Sequence, residues 1–165
     1  MLLYLVRHGI AINRKDPDCP PEPERYLTPK GIEKTRAAAA GLRAIGIEPD
    51  TVLTSPFLRA VQTAEIFCAA LGIPIGKIRR TDALKYGSLP VHLFEELARL
   101  KADEVMCFGH APHLDEVIAY AVRAPGAFTA LKKAGAACLE VESLSPPKGM
   151  LLWLHAAKTF RQLGA

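Results

Sequence analysis

Cysteine is sparse and scattered in this chain: Cys19, Cys68, Cys107 and Cys138 contain no CxxC pair. That spacing argues against a zinc site or a disulfide framework, and the apolar surroundings of Cys68, Cys107 and Cys138 suit buried free thiols. Long apolar runs are missing, so no membrane-spanning segment is expected. No basic leader or cleavage site precedes the first apolar stretch, and the expected location is the cytoplasm. A strong charge of one sign is also lacking, since 21 basic and 17 acidic residues leave a net charge of only +4. The close basic clusters are Lys77, Arg79 and Arg80 and the pair Lys132 and Lys133. Aromatic side chains are not interleaved with them, so no nucleic-acid platform is expected. A mild excess of this kind also arises where arginines gather around a phosphate. Neither a repeat nor a linker divides the sequence, which implies one domain over residues 1–165.

What the chain does have is the opening LLYLVRHG, Leu2 to Gly9. The short apolar run with Val and Tyr predicts a strand buried on both faces, as in the middle of a mainly parallel sheet. Arg7, His8 and Gly9 then fall at its carboxyl end, where open α/β sheets bind ligands. Residues 10–27 carry four prolines and several charges, and predict a loop lying over that strand end.

Thr28 and Pro29 read as an N-cap and first helical residue, followed by a helix with Ile32, Thr35, Ala39, Leu42 and Ile45 on its inner face. A strand at Thr51 to Leu53 leads into a helix opening near Pro56, capped by Thr54 or Ser55. Its predicted stripe is Phe57, Val61, Ala64, Cys68 and Leu71, with Arg59 in the first turn and off the stripe. Arg59 is then either a solvated surface arginine or one turned toward an anion at the strand end. PIGKIRR is a short extended piece, TDALKYGSLP a loop, and Leu93, Phe94, Leu97 and Leu100 mark another helix. VMCFGHAPH repeats the opening theme, a strand from Val105 to Phe108 ending in Gly109 and His110, with Pro112 opening a helix. AACLEVES and MLLWLHAA are two last strands joined through Pro146 and Pro147. Strand–helix alternation of this kind predicts an α/β fold, a three-layer α/β/α sandwich with a mostly parallel central sheet.

If the strands leading to Arg7-His8, Arg59 and His110 are neighbours, two guanidiniums and two imidazoles converge on one point. Such a cluster makes sense around an anion, and a phosphoryl group accepts bidentate arginine hydrogen bonds. A histidine fixed behind the phosphorus can attack it. A metal is disfavoured, because the arginines would repel a cation and neither strand-end motif contains a carboxylate.

LVRHG at 5–9, LTPKG at 27–31, TSPFLRAVQTA at 54–64 and GHAPHL at 109–114 together resemble the histidine phosphatase superfamily. Its best-known members are the cofactor-dependent phosphoglycerate mutases, and the pattern is most similar to the small SixA-type phosphohistidine phosphatases. The resemblance implies a phosphoglycerate mutase-like fold, a phospho-enzyme intermediate on His8 and no metal or other cofactor. It also implies a phosphate clamp of Arg7, Arg59 and His110, and a place for Arg25 at the pocket mouth. The implied substrate is a phosphohistidine-bearing protein such as a phosphotransfer domain, the alternative being a small metabolite or nucleotide phosphate.

The sequence departs from the larger members at the proton donor, a glutamate after the third strand. The corresponding stretch here is TDALKYGSL, where Asp82 is the nearest carboxylate and reads as a turn residue or an acid. His113 is a second candidate donor, or else a cap for the Pro112 helix. Little sequence separates the third and fourth strands, so no large lid is expected. An open pocket of this kind suits a phosphorylated side chain and not a mutase, which must exclude water.

Overall fold

The computed structural model describes residues 1–164. Six strands form one sheet in the order β3-β2-β4-β1-β5-β6. In chain order they are β1 (Leu2–Arg7), β2 (Thr51–Thr54), β3 (Ile78–Arg80), β4 (Glu104–Gly109), β5 (Ala136–Leu144) and β6 (Pro147–His155). The first four are mutually parallel, whereas β5 runs antiparallel to β1 and β6 antiparallel to β5. Five helices cover the sheet: α1 (Pro29–Ala44), α2 (Leu58–Leu71), α3 (Pro90–Leu97), α4 (His113–Ala121) and α5 (Ala157–Leu163).

Alternation along the central strands divides the core in two. Leu3 and Leu5 of β1, with Val105 and Cys107 of β4, face α3 and α4. Tyr4, Val6, Met106 and Phe108 face the opposite layer of α1, α2 and α5. The three-layer α/β/α sandwich follows from these two faces. Burying each such Leu or Phe stabilises the fold by about 1.5–3 kcal/mol. Cys68, Cys107 and Cys138 are buried free thiols within it.

Helix α1 starts as its sequence predicts, with Thr28 Oγ1 accepting from the Gly31 N–H at 3.0 Å. The inner face differs from the predicted stripe. Thr35, Ala38, Ala39, Gly41 and Leu42 are buried, whereas Ile45 is 43% exposed. Packed on this face is α5, a helix that the apolar spacing does not announce. It crosses α1 so closely that a Cβ on Gly41 would overlap the Phe160 backbone. Helix α2 begins at Leu58, later than predicted, with no side-chain cap. Ser55 Oγ instead accepts from the Phe57 N–H in the turn before it. Among the described residues, no helix is long and apolar enough to cross a membrane.

Candidate active site

Strand β4 lies between β1 and β2, so the three strand ends carrying the predicted site residues are adjacent. The ladder continues past the strands, with the His8 N–H donating to Gly109 O at 3.0 Å and the Ser55 N–H to Phe108 O at 2.9 Å. These bonds place His8, Ser55 and His110 side by side. The His8 and His110 ring centroids are 5.2 Å apart. Gly9 is required where the chain turns off β1, because a Cβ there would collide with Thr35 Oγ1. The Gly9 N–H donates to Thr63 Oγ1 at 3.0 Å, and that hydroxyl donates to Arg59 O at 2.7 Å. The first turn of α2 is thereby held against the His8 backbone.

Arg59 is almost fully buried, not a surface arginine. Its Nε donates to His8 Nε2 at 3.3 Å, its Nη1 to Glu22 O at 2.8 Å and its Nη2 to Glu22 Oε1 at 2.8 Å. His8 Nδ1 lies 2.7 Å from Gly9 O, a carbonyl that can only accept. This sets the tautomer: Nδ1 carries the proton and Nε2 offers its lone pair to the arginine. Burial pushes the His8 pKa down to about 3, with Arg59, Arg7 and Lys133 adding to the effect against the Gly9 hydrogen bond. His110 is pushed down to about 2, by burial and then by His8 and Arg59. Its Nε2 lies 2.8 Å from Ser55 Oγ, and its Nδ1 is buried without a partner.

These groups open into a cavity of about 210 Å³ that Arg7, His8, Arg59 and His110 all line, together with Arg25 and Tyr86. The four residues of the predicted constellation are therefore together. Arg7 Nη1 donates to Leu131 O at 2.9 Å. Arg25 is anchored on the Ile12 carbonyl through Nε and Nη2 and is one of the residues that line the cavity.

The two candidate proton donors do not line the cavity. Asp82 opens a single 3-10 turn, Asp82–Leu84, and pairs with Lys85 Nζ at 2.9 Å. Its side chain is 78% exposed and does not line the cavity. Tyr86 of the same loop reaches the cavity in its place, edge-on to the His110 ring. His113 is the first residue of α4, buried behind the site and not lining it. It does not cap the helix either. Burial pushes its pKa down, with the nearby Leu89 backbone opposing.

The residue that the sequence did not single out is Glu22. Within PPEPER it begins the 3-10 turn Glu22–Glu24, in the loop that covers β1. Its carboxylate pairs with Arg14 at 2.9 Å, Arg25 at 3.1 Å and Arg59 at 2.8 Å. The Arg14 hydrogen bonds, then the charges of Arg59 and Arg25, hold its pKa down at about 2 against partial burial. One signal for it was present, a carboxylate between two prolines in a loop that had to cross the strand end.

The pocket is a cationic cradle with a neutral imidazole nitrogen at its base, an arrangement suited to accepting a phosphoryl group. A family model described as histidine phosphatase superfamily (branch 1) matches residues 3–157. The structure of the protein histidine phosphatase SixA complexed with tungstate superposes with a TM-score of 0.81 at 25% identity, covering 96% of this chain and 99% of that one. An uncharacterized protein of Picosynechococcus sp. is 38% identical over 138 residues, 82% of each chain. A 2,3-bisphosphoglycerate-dependent phosphoglycerate mutase of Beijerinckia indica is 37% identical over 99 residues, 53% of this chain and 44% of that protein. Chain order, strand-end geometry and family match agree: this chain belongs to the histidine phosphatase superfamily, branch 1.

Proposed function

We propose that this phosphatase removes phosphoryl groups from phosphohistidine on other proteins by way of a phosphohistidine on its own His8. The observation that carries the proposal is the state of His8. Its Nδ1–H is committed to Gly9 O, and the Nε2 lone pair faces the buried Arg59 guanidinium. A nucleophile must be unprotonated, and burial keeps this one neutral well below pH 7.

In the first step, His8 Nε2 forms a bond to phosphorus as the substrate's N–P bond breaks, and the departing imidazole nitrogen takes up a proton from solvent water. Arg7, Arg59 and His110 stabilise the charge on the equatorial oxygens. Water then attacks the phosphorus of the phospho-enzyme, giving inorganic phosphate and restoring Nε2. The arginines supply the positive charge, so no metal is invoked, and EDTA should leave turnover unchanged.

The substrate assignment rests on the leaving group. Glu22 is the carboxylate that reaches the arginines, and the ion pairs that lower its pKa keep it ionised and unable to donate a proton at neutral pH. An imidazole nitrogen protonates readily, whereas an alkoxide needs a positioned acid worth about 10²- to 10⁴-fold. The likeness to SixA supports the same reading. The test compares kcat/KM on a phosphohistidine protein, p-nitrophenyl phosphate and glycerol phosphate. The first two should exceed the third by about 10²- to 10⁴-fold. Comparable rates on the alkyl ester would make the enzyme a phosphatase of small metabolites or nucleotides instead.

A further inference from the structure

Beside the catalytic cavity lies a larger hollow of about 390 Å³, and Arg7 and Lys133 border both. It is walled by Lys34 of α1, Lys132 and Lys133 of the segment before β5, and Lys158 and Arg161 of α5. No carboxylate is among its lining residues. None of these cations, nor Arg7, has an acidic group within ion-pair distance among the described residues. The catalytic side differs, since Arg14, Arg25 and Arg59 share Glu22 there.

Partial burial and then the charges of Arg7, Arg25, Arg14 and Arg59 push the Lys133 ammonium pKa down, so the two cavities share one positive field.

From this arrangement we infer that the Lys34–Lys158–Arg161 hollow is a second recognition site, which binds carboxylates on the phosphoprotein beside its phosphohistidine. The inference rests on the phosphohistidine reading given above. Lysine ammoniums on flexible stems act as point charges and suit several carboxylates, whereas arginine forks suit a single phosphate. The recess is larger than the phosphoryl cavity and spreads its charges over three separate elements, which favours an acidic protein surface over one further phosphate. Its contacts would raise the rate of encounter and set orientation, and would weaken with salt.

The test uses the whole chain and two phosphohistidine peptides of equal length, one with the phosphohistidine flanked by Glu and one by Gln. Wild type should favour the Glu peptide by at least about tenfold in kcat/KM at low salt, with the preference falling as salt rises. Lys34→Glu, Lys158→Glu and Arg161→Glu combined should abolish or reverse the preference. The corresponding three Gln substitutions should reduce it, which guards against misfolding of the charge-reversed protein. Equal turnover of the two peptides by wild type overturns the second site while leaving the phosphohistidine reading intact. A preference that survives both triple variants also overturns it. If neither peptide is turned over while p-nitrophenyl phosphate is, both readings fall. If the peptides are not distinguished but a phenyl bisphosphate outruns phenyl phosphate in wild type and not in the variants, the recess serves a small bisphosphate and the protein partner is wrong.

Discussion

His8 is set by two contacts and by burial, and each can be measured. The Gly9 carbonyl chooses the tautomer, Arg59 faces the free nitrogen, and burial removes the charge. In NMR titration the His8 and His110 ring resonances should therefore show no protonation step between pH 8 and pH 5. A midpoint near the ordinary 6.5 for either ring would contradict the buried, arginine-flanked environment. Rapid quench with labelled substrate should trap an acid-labile, alkali-stable phosphoryl group on wild type and none on His8→Ala, with label elsewhere refuting the nucleophile. Arg59→Ala should lower kcat/KM by at least about 10²-fold, because it removes charge from the phosphoryl group and the partner of Nε2 together.

Two elements act on the site from outside the sheet. The loop over β1 is held by Gln62 Oε1, which accepts from the Leu27 N–H at 2.8 Å, and by the Thr28 N–H donating to Ile10 O at 2.9 Å. It carries Glu22 onto the Arg59 donors that the proposed reaction assigns to a phosphoryl oxygen. Glu22→Gln keeps the size and the main-chain acceptor while removing the competing charge. Tungstate or inorganic phosphate should then bind several-fold more tightly by competitive inhibition. Weaker binding would mean instead that the carboxylate is needed to hold Arg59 in place. Helix α5 depends on Gly41 for its approach to α1, since an added methyl would meet the Phe160 backbone. Gly41→Ala should cost about 1–3 kcal/mol in denaturant unfolding despite the better helix propensity of alanine. A stabilised protein would show that the two helices can part without loss.

Across the whole molecule, the buried neutral imidazoles link stability to pH. The pKa values of His8 and His110 are near 3 and 2 in the folded chain and near 6.5 when unfolded. Between those limits the unfolded chain binds more protons, so stability is fully present above pH 6.5 and is lost as pH falls toward 3. Well inside that window each ring contributes a slope of about 1.4 kcal/mol per pH unit. Glu22, depressed to about 2, adds loss in the same direction below its ordinary carboxylate range. Urea midpoints should accordingly fall steeply from pH 6.5 to pH 4, and His8→Ala should flatten the curve. An unchanged curve would refute the burial of the charge-free ring.

Local chemistry was enough to place β1, β4, the Thr28 cap and the RHG and GH strand ends, because apolar runs and capping residues act within a few positions of themselves. It also selected Arg7, His8, Arg59 and His110 as candidates, through motifs that each lie on one short stretch. Their convergence needed the tertiary structure, since it depends on β4 lying between β1 and β2. The tertiary structure also showed Arg59 to be buried and not solvated. It put Tyr86 rather than Asp82 at the cavity, because the 3-10 turn directs Asp82 outward to Lys85. Helix α5 escaped notice because its inner face, Ala157 and Phe160, is too short for a periodic signal. Glu22 escaped for a related reason: a carboxylate in an irregular loop gains its partners, Arg14, Arg25 and Arg59, only when residues up to 37 positions apart are brought together. Short-range propensity is written in the chain, whereas charge pairing across the sheet edge arises only from the packing of distant segments.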